Sequence, residues 1–371
     1  MTRPQVPLLL FAAALFCSSS SSLLPPRPVI RSFPDRAALS RALADAVYRE
    51  VRAWSVTQLK EEHPRPFLVA LSGGSLPSLL VEGLKKHPQQ AGMELHEWTI
   101  FLADERVVPE GDPRSNLEAI HAKLFDEDML AYTEKHGGPP MVFGIEGGML
   151  RDMGAGEVAK TGDGMEAYNL STPEGMEAYS ASSSGTGSGG AGLMTPKEIA
   201  SNYQDLLTSV AEHDDPSTPP VFDLVLLGMG EDGHTASLFP GHPLLEETTR
   251  WVAEIENSPK LPPKRVTLTF PVLNAARAVF FVTAGAGKAD SLGKVAASYA
   301  VGGYTNDTAA RRGLLPAAQV RPAAGKLEWF VDDAASAQVP AGAKEEPAWA
   351  FVTEYGPIET VRGMVHPRDE L

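Results

Sequence analysis

A histidine set among glycines at the end of an apolar run is the group in this chain best placed to do chemistry. The run is Phe222 to Leu227, and Gly228-Met-Gly230-Glu-Asp232-Gly-His234-Thr-Ala-Ser follows it. A short apolar segment of this kind reads as a buried parallel strand. Sheet enzymes hold their ligands at the carboxyl ends of strands, and Asp232 and His234 fall there. A histidine delivered by a glycine turn, with a carboxylate two residues before it, is a candidate general base with its orienting partner. The chain has nine histidines, and most histidines do no more than occupy core or surface. The turn at a strand end is what separates His234 from the others.

Two further segments carry suitable groups. Ser72-Gly73-Gly74-Ser75 lies between a strand and a helix. Glycines there let the backbone approach a ligand, exposed N–H groups at a helix start attract phosphate, and the serines add donors. An ordinary tight turn would look the same. Asp104-Glu105-Arg106 lies just past a second strand. Arg106 can fork two hydrogen bonds onto a phosphate or carboxylate, or pair internally with Asp104 or Glu105. Neither Ser72-Gly-Gly-Ser75 nor Gly285-Ala-Gly287-Lys288 is a P-loop. The first lacks a following Gly-Lys-Ser/Thr, and the second has Val282 and Ala289 where glycine and Ser/Thr are required.

These groups need a scaffold that brings strand ends together. Leu39, Leu43, Ala46, Val47, Val51 and Trp54 recur at helical spacing over residues 36–60. Phe67 to Leu71, Trp98 to Ala103, Val266 to Phe270, Ala278 to Thr283 and Leu327 to Val331 read as strands. Leu79 to Lys86, Ser115 to Phe125 and Pro196 to His213 read as helices. Alternating strands and helices predict an α/β fold: a Rossmann-like, mostly parallel sheet with helices on both faces, in a single domain. Residues 145–195 break the alternation. Gly164-Met-Glu-Ala-Tyr168 recurs there as Gly175-Met-Glu-Ala-Tyr179, and Ser180 to Gly192 has linker composition. This stretch is expected to be a disordered surface insertion. The expected divisions are a targeting segment at 1–29, the α/β domain at 30–335, and an extension at 336–371.

Gly-Met-Gly-x-Asp-Gly-His-Thr-Ala-Ser-Leu-Phe-Pro-Gly resembles the signature of the 6-phosphogluconolactonases, part of which is shared with the glucosamine-6-phosphate deaminases of the same superfamily. Asp104-Glu-Arg106-Val-Val-Pro109 with Ser115-Asn116, and Leu315-Pro-Ala with Trp329-Phe-Val-Asp332, are similar to further elements of that family. Lys288 matches the lysine of its Gly-x-x-Lys-Ala element, although Ala286-Gly287 departs from the acidic pair often found there. The resemblance spans residues 33–335 outside the insertion. It implies a metal-free, cofactor-independent esterase that hydrolyses 6-phospho-D-glucono-1,5-lactone in the oxidative pentose phosphate pathway. His234, Asp232 and Arg106 are then the catalytic candidates. Ser72, Gly73, Gly74, Ser75, Asn116 and Lys288 are the substrate- or phosphate-binding candidates. A deaminase is the nearer rival, but its signature looks like Asp-Gly-His-Ile-Ala-Phe-Asn-Glu-Pro and its earlier element like Met-Asp-Glu-Tyr. A non-catalytic sugar-phosphate sensor could dispense with the histidine that this chain retains.

A net charge of −15 argues against a general nucleic-acid or anionic-membrane binder; the partner that the resemblance implies is a small-molecule phosphosugar lactone. No apolar run approaches the length of a membrane span. The only cysteine, Cys17, precludes an intramolecular disulfide. Arg3, the apolar stretch Leu8 to Phe16 and the serines Ser18 to Ser22 fit a signal peptide, with an organellar presequence as the alternative. Arg368-Asp-Glu-Leu371 is close to the endoplasmic-reticulum retention tetrapeptides, and Asn169 and Asn306 begin glycosylation acceptor sequences. The expectation is an endoplasmic-reticulum-lumen enzyme paired with a hexose-6-phosphate dehydrogenase, with plastid or cytoplasm as alternatives.

Overall fold

The runs at Phe67, Trp98, Leu224 and Ala278 are apolar but for Thr99 and Thr283 because both of their faces are covered. Every residue of β2 (Phe67–Leu71), β3 (Trp98–Leu102), β9 (Leu224–Leu227) and β12 (Ala278–Thr283) is buried, the pattern of central strands in a parallel sheet. The computed structural model describes residues 28–109, 111–145, 149–151, 159–160, 166–168, 194–210, 218–300 and 311–345. The targeting segment up to residue 27, Ser180 to Gly192, both glycosylation acceptors and the Arg-Asp-Glu-Leu tail lie outside the described residues.

Around those four strands the parallel order is β1-β13-β12-β9-β2-β3-β5, with β1 at Val29–Phe33, β5 at Met141–Phe143 and β13 at Lys326–Asp332. The expected mostly parallel α/β sheet is therefore present. Helix α1 (Arg36–Gln58) buries the predicted apolar stripe, and the Asp35 side chain caps it by accepting from the Ala38 amide at 2.7 Å. Trp54 of α1 packs edge-on against Phe67, which in turn meets its strand neighbour Trp98. Tyr203 of α5 (Pro196–Val210) packs instead against Phe101. Trp98 and Phe101 are three residues apart on one strand and point to opposite faces, so the two helices cover opposite sides of the sheet. In sequence between them come α2 (Leu76–Lys86), α3 (Asn116–Leu124) and α4 (Glu127–Thr133).

Several boundaries differ from expectation. The domain begins before residue 30, since Val29 opens β1, which pairs with both β13 and β14 (Lys344–Glu345). It also continues past residue 335, with Ser336 and Val339 buried. Within 145–195 the described residues include three short strands, β6 (Met149–Arg151), β7 (Ala159–Lys160) and β8 (Glu166–Tyr168), that extend the sheet beyond β5.

A second, three-stranded antiparallel sheet was not foreseen. It joins β10 (Val252–Ile255), β11 (Arg265–Leu268) and β4 (Asp104–Arg106) in the order β10-β11-β4. Asp104-Glu-Arg106, read as a loop past a strand, is a strand of its own because its backbone pairs with β11. The expected strand at 266–270 accordingly belongs to this small sheet and stops at Leu268, where α6 (Phe270–Leu273) follows.

Candidate active site

Strand order locates the crevice. From β2 the chain proceeds outward through β3 to β5, whereas from β9 it proceeds the other way through β12 to β13. β2 and β9 are adjacent and parallel, so their carboxyl ends flank a topological switch point, where open α/β sheets bind ligands. The turn Ser72–Ser75 leaves β2 there, and Gly228 to His234 leaves β9 beside it. The Ser72 amide donates to the Leu226 carbonyl at 3.0 Å, tying the two exits together.

The second exit folds back on itself. The Gly230 amide donates to the His234 carbonyl at 2.8 Å, and the Gly233 amide to that of Gly230 at 3.0 Å. Gly233 has φ +80°, a conformation that favours glycine. At Gly230 the need is spatial, since a Cβ would lie 2.0 Å from His234 Nδ1 and 2.5 Å from Asp232 Oδ1. The bare backbone lets the two side chains close over it, with Nδ1 and Oδ1 2.5 Å apart. Phe239 stacks on the imidazole at 4.8 Å between centroids, and the Arg265 guanidinium covers the same Phe239 at 5.5 Å.

Burial lowers the pKa of His234 from its ordinary 6.5; Asp232 and Asp104 oppose this, and Lys260 reinforces it. Burial pushes the Asp232 carboxyl up, but the imidazole and the Lys260 ammonium outweigh it and hold the group down at about 2. The two shifts favour a carboxylate beside a neutral ring. Nδ1–H donates to the carboxylate, which leaves the lone pair on Nε2.

Asn116 connects this loop to the opposite wall. Its Nδ2 donates to the Asp104 carbonyl at 2.7 Å and to Asp104 Oδ1 at 3.2 Å, while Asp104 Oδ2 accepts from Ser237 Oγ at 2.7 Å. Glu105 accepts from the amides of Asn116 and Leu117, both at 2.7 Å, and from Ser115 Oγ at 2.9 Å. Burial raises the Glu105 pKa, and these donors partly offset the rise. The carboxylate thereby satisfies the open amides at the start of α3 and fixes Asn116 against β4. The Arg106 guanidinium forms no ion pair with Asp104 or Glu105 among the described residues. Its Nη1 donates to the Arg114 carbonyl at 2.5 Å.

Gly73 lies directly under Asn116: a Cβ there would be 1.9 Å from Asn116 Oδ1. Gly74, at φ +74°, completes the turn, and exposed Ser75 sits at the N-cap of α2 without a side-chain cap bond. Ser72 Oγ, Arg106 Nε, Asn116 Oδ1 and Thr283 Oγ1 are all buried without a hydrogen-bond partner. Ser72 and Thr283 lie at the carboxyl ends of β2 and β12, Arg106 ends β4 and Asn116 opens α3; unsatisfied polar atoms on these residues suit a polar ligand. Lys288, in the turn after β12, makes no direct contact with the His–Asp pair. Burial lowers its pKa, while Glu231 and Asp232 act in the opposite sense. Among the described residues no group of three or more His, Cys, Asp or Glu side chains is arranged to hold a metal ion.

Lys260, Asp104, Ser237 and Arg265 belong to this network and were not among the sequence candidates. Ser237 lay inside the histidine segment, and Asp104 was weighed only as a partner for Arg106. Lys260 comes from the β10–β11 hairpin, and nothing local marks it.

An open parallel sheet with a His–Asp pair at its switch point defines a class of α/β enzyme built around a small polar ligand. The chain belongs to the glucosamine-6-phosphate isomerase/6-phosphogluconolactonase family, on its lactonase side: residues 34–146 and 172–329 match the family described as glucosamine-6-phosphate isomerases/6-phosphogluconolactonase. It is 35% identical over 274 residues to the probable 6-phosphogluconolactonase of Schizosaccharomyces pombe, covering 74% of this chain and 83% of that one. It is likewise 35% identical over 271 residues to the 6-phosphogluconolactonase of Homo sapiens, covering 73% and 80%. In fold it is similar to the 6-phosphogluconolactonase of Trypanosoma brucei, with a TM-score of 0.54 at 22% identity over 85% of this chain and 99% of that chain. Among the described residues no helix is long and apolar enough to cross a membrane.

Proposed function

We propose that this chain hydrolyses 6-phospho-D-glucono-1,5-lactone to 6-phospho-D-gluconate, with His234 as general base. The observation that carries the reading is the close contact of His234 Nδ1 with Asp232 Oδ1, 2.5 Å, on the loop that leaves β9 at the switch point. Nε2 takes a proton from water as the water oxygen attacks the lactone carbonyl. Asp232 holds the tautomer and stabilises the imidazolium that forms. The oxygen of the tetrahedral intermediate meets donors from the Gly73–Gly74 turn or from Arg106, groups fixed before the reaction begins. As the intermediate collapses, the bond from C1 to the ring oxygen breaks, and His234 returns its proton to the departing alkoxide. Lys288 is assigned to the 6-phosphate, and Ser72, Ser75 and Asn116 to sugar hydroxyls or phosphate oxygens.

The test is a substrate panel with purified protein, corrected for spontaneous lactone hydrolysis. The expected order of kcat/KM is 6-phosphogluconolactone far above unphosphorylated gluconolactone, with no ammonia released from glucosamine 6-phosphate. Release of ammonia would favour the deaminase instead. Binding of phosphosugar without turnover would favour a sensor.

The compartment proposed is the lumen of the endoplasmic reticulum, in functional pairing with a hexose-6-phosphate dehydrogenase. Support comes from the Leu8 to Phe16 segment and the Arg368-Asp-Glu-Leu371 motif. A fluorescent protein inserted between the Leu8 to Phe16 segment and β1 should report reticular fluorescence that is lost when Arg368 to Leu371 are removed. Plastid or cytosolic fluorescence would contradict the assignment.

A further inference from the structure

Asp232 Oδ1 serves two partners. His234 Nδ1 lies 2.5 Å from it, and Lys260 Nζ lies 3.2 Å from the same oxygen and 3.4 Å from the same ring nitrogen. The lysine is brought there from a distant part of the chain by a hairpin whose backbone is held in several places. Ser258 Oγ donates to the Lys260 carbonyl at 2.8 Å and accepts from the Lys260 amide at 3.2 Å. Arg265 Nη2 donates to the carbonyls of Lys260 and Leu261 at 3.1 and 3.0 Å, and its Nε to that of Pro262 at 3.0 Å. A buried guanidinium is thus spent on fixing the hairpin. These bonds fix the backbone from which the Lys260 side chain, 42% exposed, reaches Asp232.

We propose that Lys260 is a positioning residue of the hydrolysis: its ammonium shares Asp232 Oδ1 with the imidazole, so that Asp232 orients His234 without drawing a proton onto it. The assignment rests on the hydrolytic reading of the site, and its physical basis is simple. A carboxylate this close to a ring nitrogen favours imidazolium, and imidazolium cannot accept a proton from water. A general base must be unprotonated to accept a proton, so the pull of Asp232 must be limited without losing its hydrogen bond. An ammonium on the same oxygen does that, because it weakens the field at Nδ1 while leaving the Nδ1–H donor in place.

The other charges facing the ring are few. Glu231 flanks Asp232 on the same loop, and Asp104 of β4 favours imidazolium from the opposite wall. Lys288 lies beyond Glu231 in the turn after β12, and Arg265 is separated from the ring by Phe239. Lys260 is the cation in direct contact with both members of the pair.

The experiment titrates His234 by NMR in protein carrying 13C-labelled histidine, comparing the wild type with Lys260→Met and Lys260→Arg; a His234→Asn sample assigns the resonance. The expected result is a His234 pKa higher by about 0.5–1 unit in Lys260→Met and restored in Lys260→Arg. An unmoved or lower pKa in Lys260→Met would overturn the proposal. So would a lactone KM that rises selectively for the phosphorylated substrate while the acid limb of kcat/KM stays in place, since Lys260 would then be a phosphate ligand. The titration needs no turnover. If His234 moves as expected but the wild type hydrolyses no lactone, the charge-sharing stands and the hydrolytic reading fails.

Discussion

The His234 ring titrates against two opposed influences, and its working form depends on which prevails. Burial disfavours imidazolium, and Asp232 favours it; the balance lies with burial, below the ordinary 6.5. The sign follows directly. The neutral ring is the base, so a lowered pKa keeps it competent to lower pH. On the proposed mechanism the acid limb of kcat/KM should have its midpoint below 6.5. A pH–rate profile corrected for base-catalysed lactone opening checks this. An acid limb at or above 6.5 would mean that the carboxylate dominates. The His–Asp pair was legible from sequence because it is local: two residues apart on a glycine turn. Lys260 was not, because it lies 26 residues from His234 in sequence and the Pro-rich hairpin that delivers it has no pattern of its own.

At the scale of elements, the four central strands could be read because burial on both faces leaves them apolar but for Thr99 and Thr283. β4 could not. Its three residues are Asp, Glu and Arg, and the two carboxylates are buried through bonds to Ser237, Asn116, Leu117 and Ser115, contacts that only the folded chain brings together. Strand β1 was likewise obscured by the prolines before it, although β13 and β14 pair with it on either side. The contact between the β2 turn and α3 gives a test at this scale. Gly73→Ala puts a methyl where Asn116 Oδ1 now lies, and a substitution that overpacks a tight contact costs about 1–3 kcal/mol. Urea unfolding should report that loss, and kcat/KM should fall with it as Asn116 is displaced. Wild-type values for both would show that Asn116 moves aside at no cost and does not position the turn.

Over the whole molecule the net charge is −15, while Lys260 and Lys288 both lie near enough to Asp232 to act on it electrostatically. That arrangement suits an anionic small substrate at a protein otherwise repelling anions, since a few local cations dominate the field inside a cleft. On the proposed reading the chemistry lies where the strand order reverses, between β2 and β9. His234 is the group on which that reading depends. The most direct measurement is the rate of 6-phosphogluconolactone hydrolysis by His234→Ala beside the wild type, after subtraction of the spontaneous reaction. Loss of a general base predicts a fall in kcat of about 10²–10⁴, in a protein whose circular dichroism and melting temperature show that it remains folded. An unchanged kcat would contradict the account and move the base elsewhere.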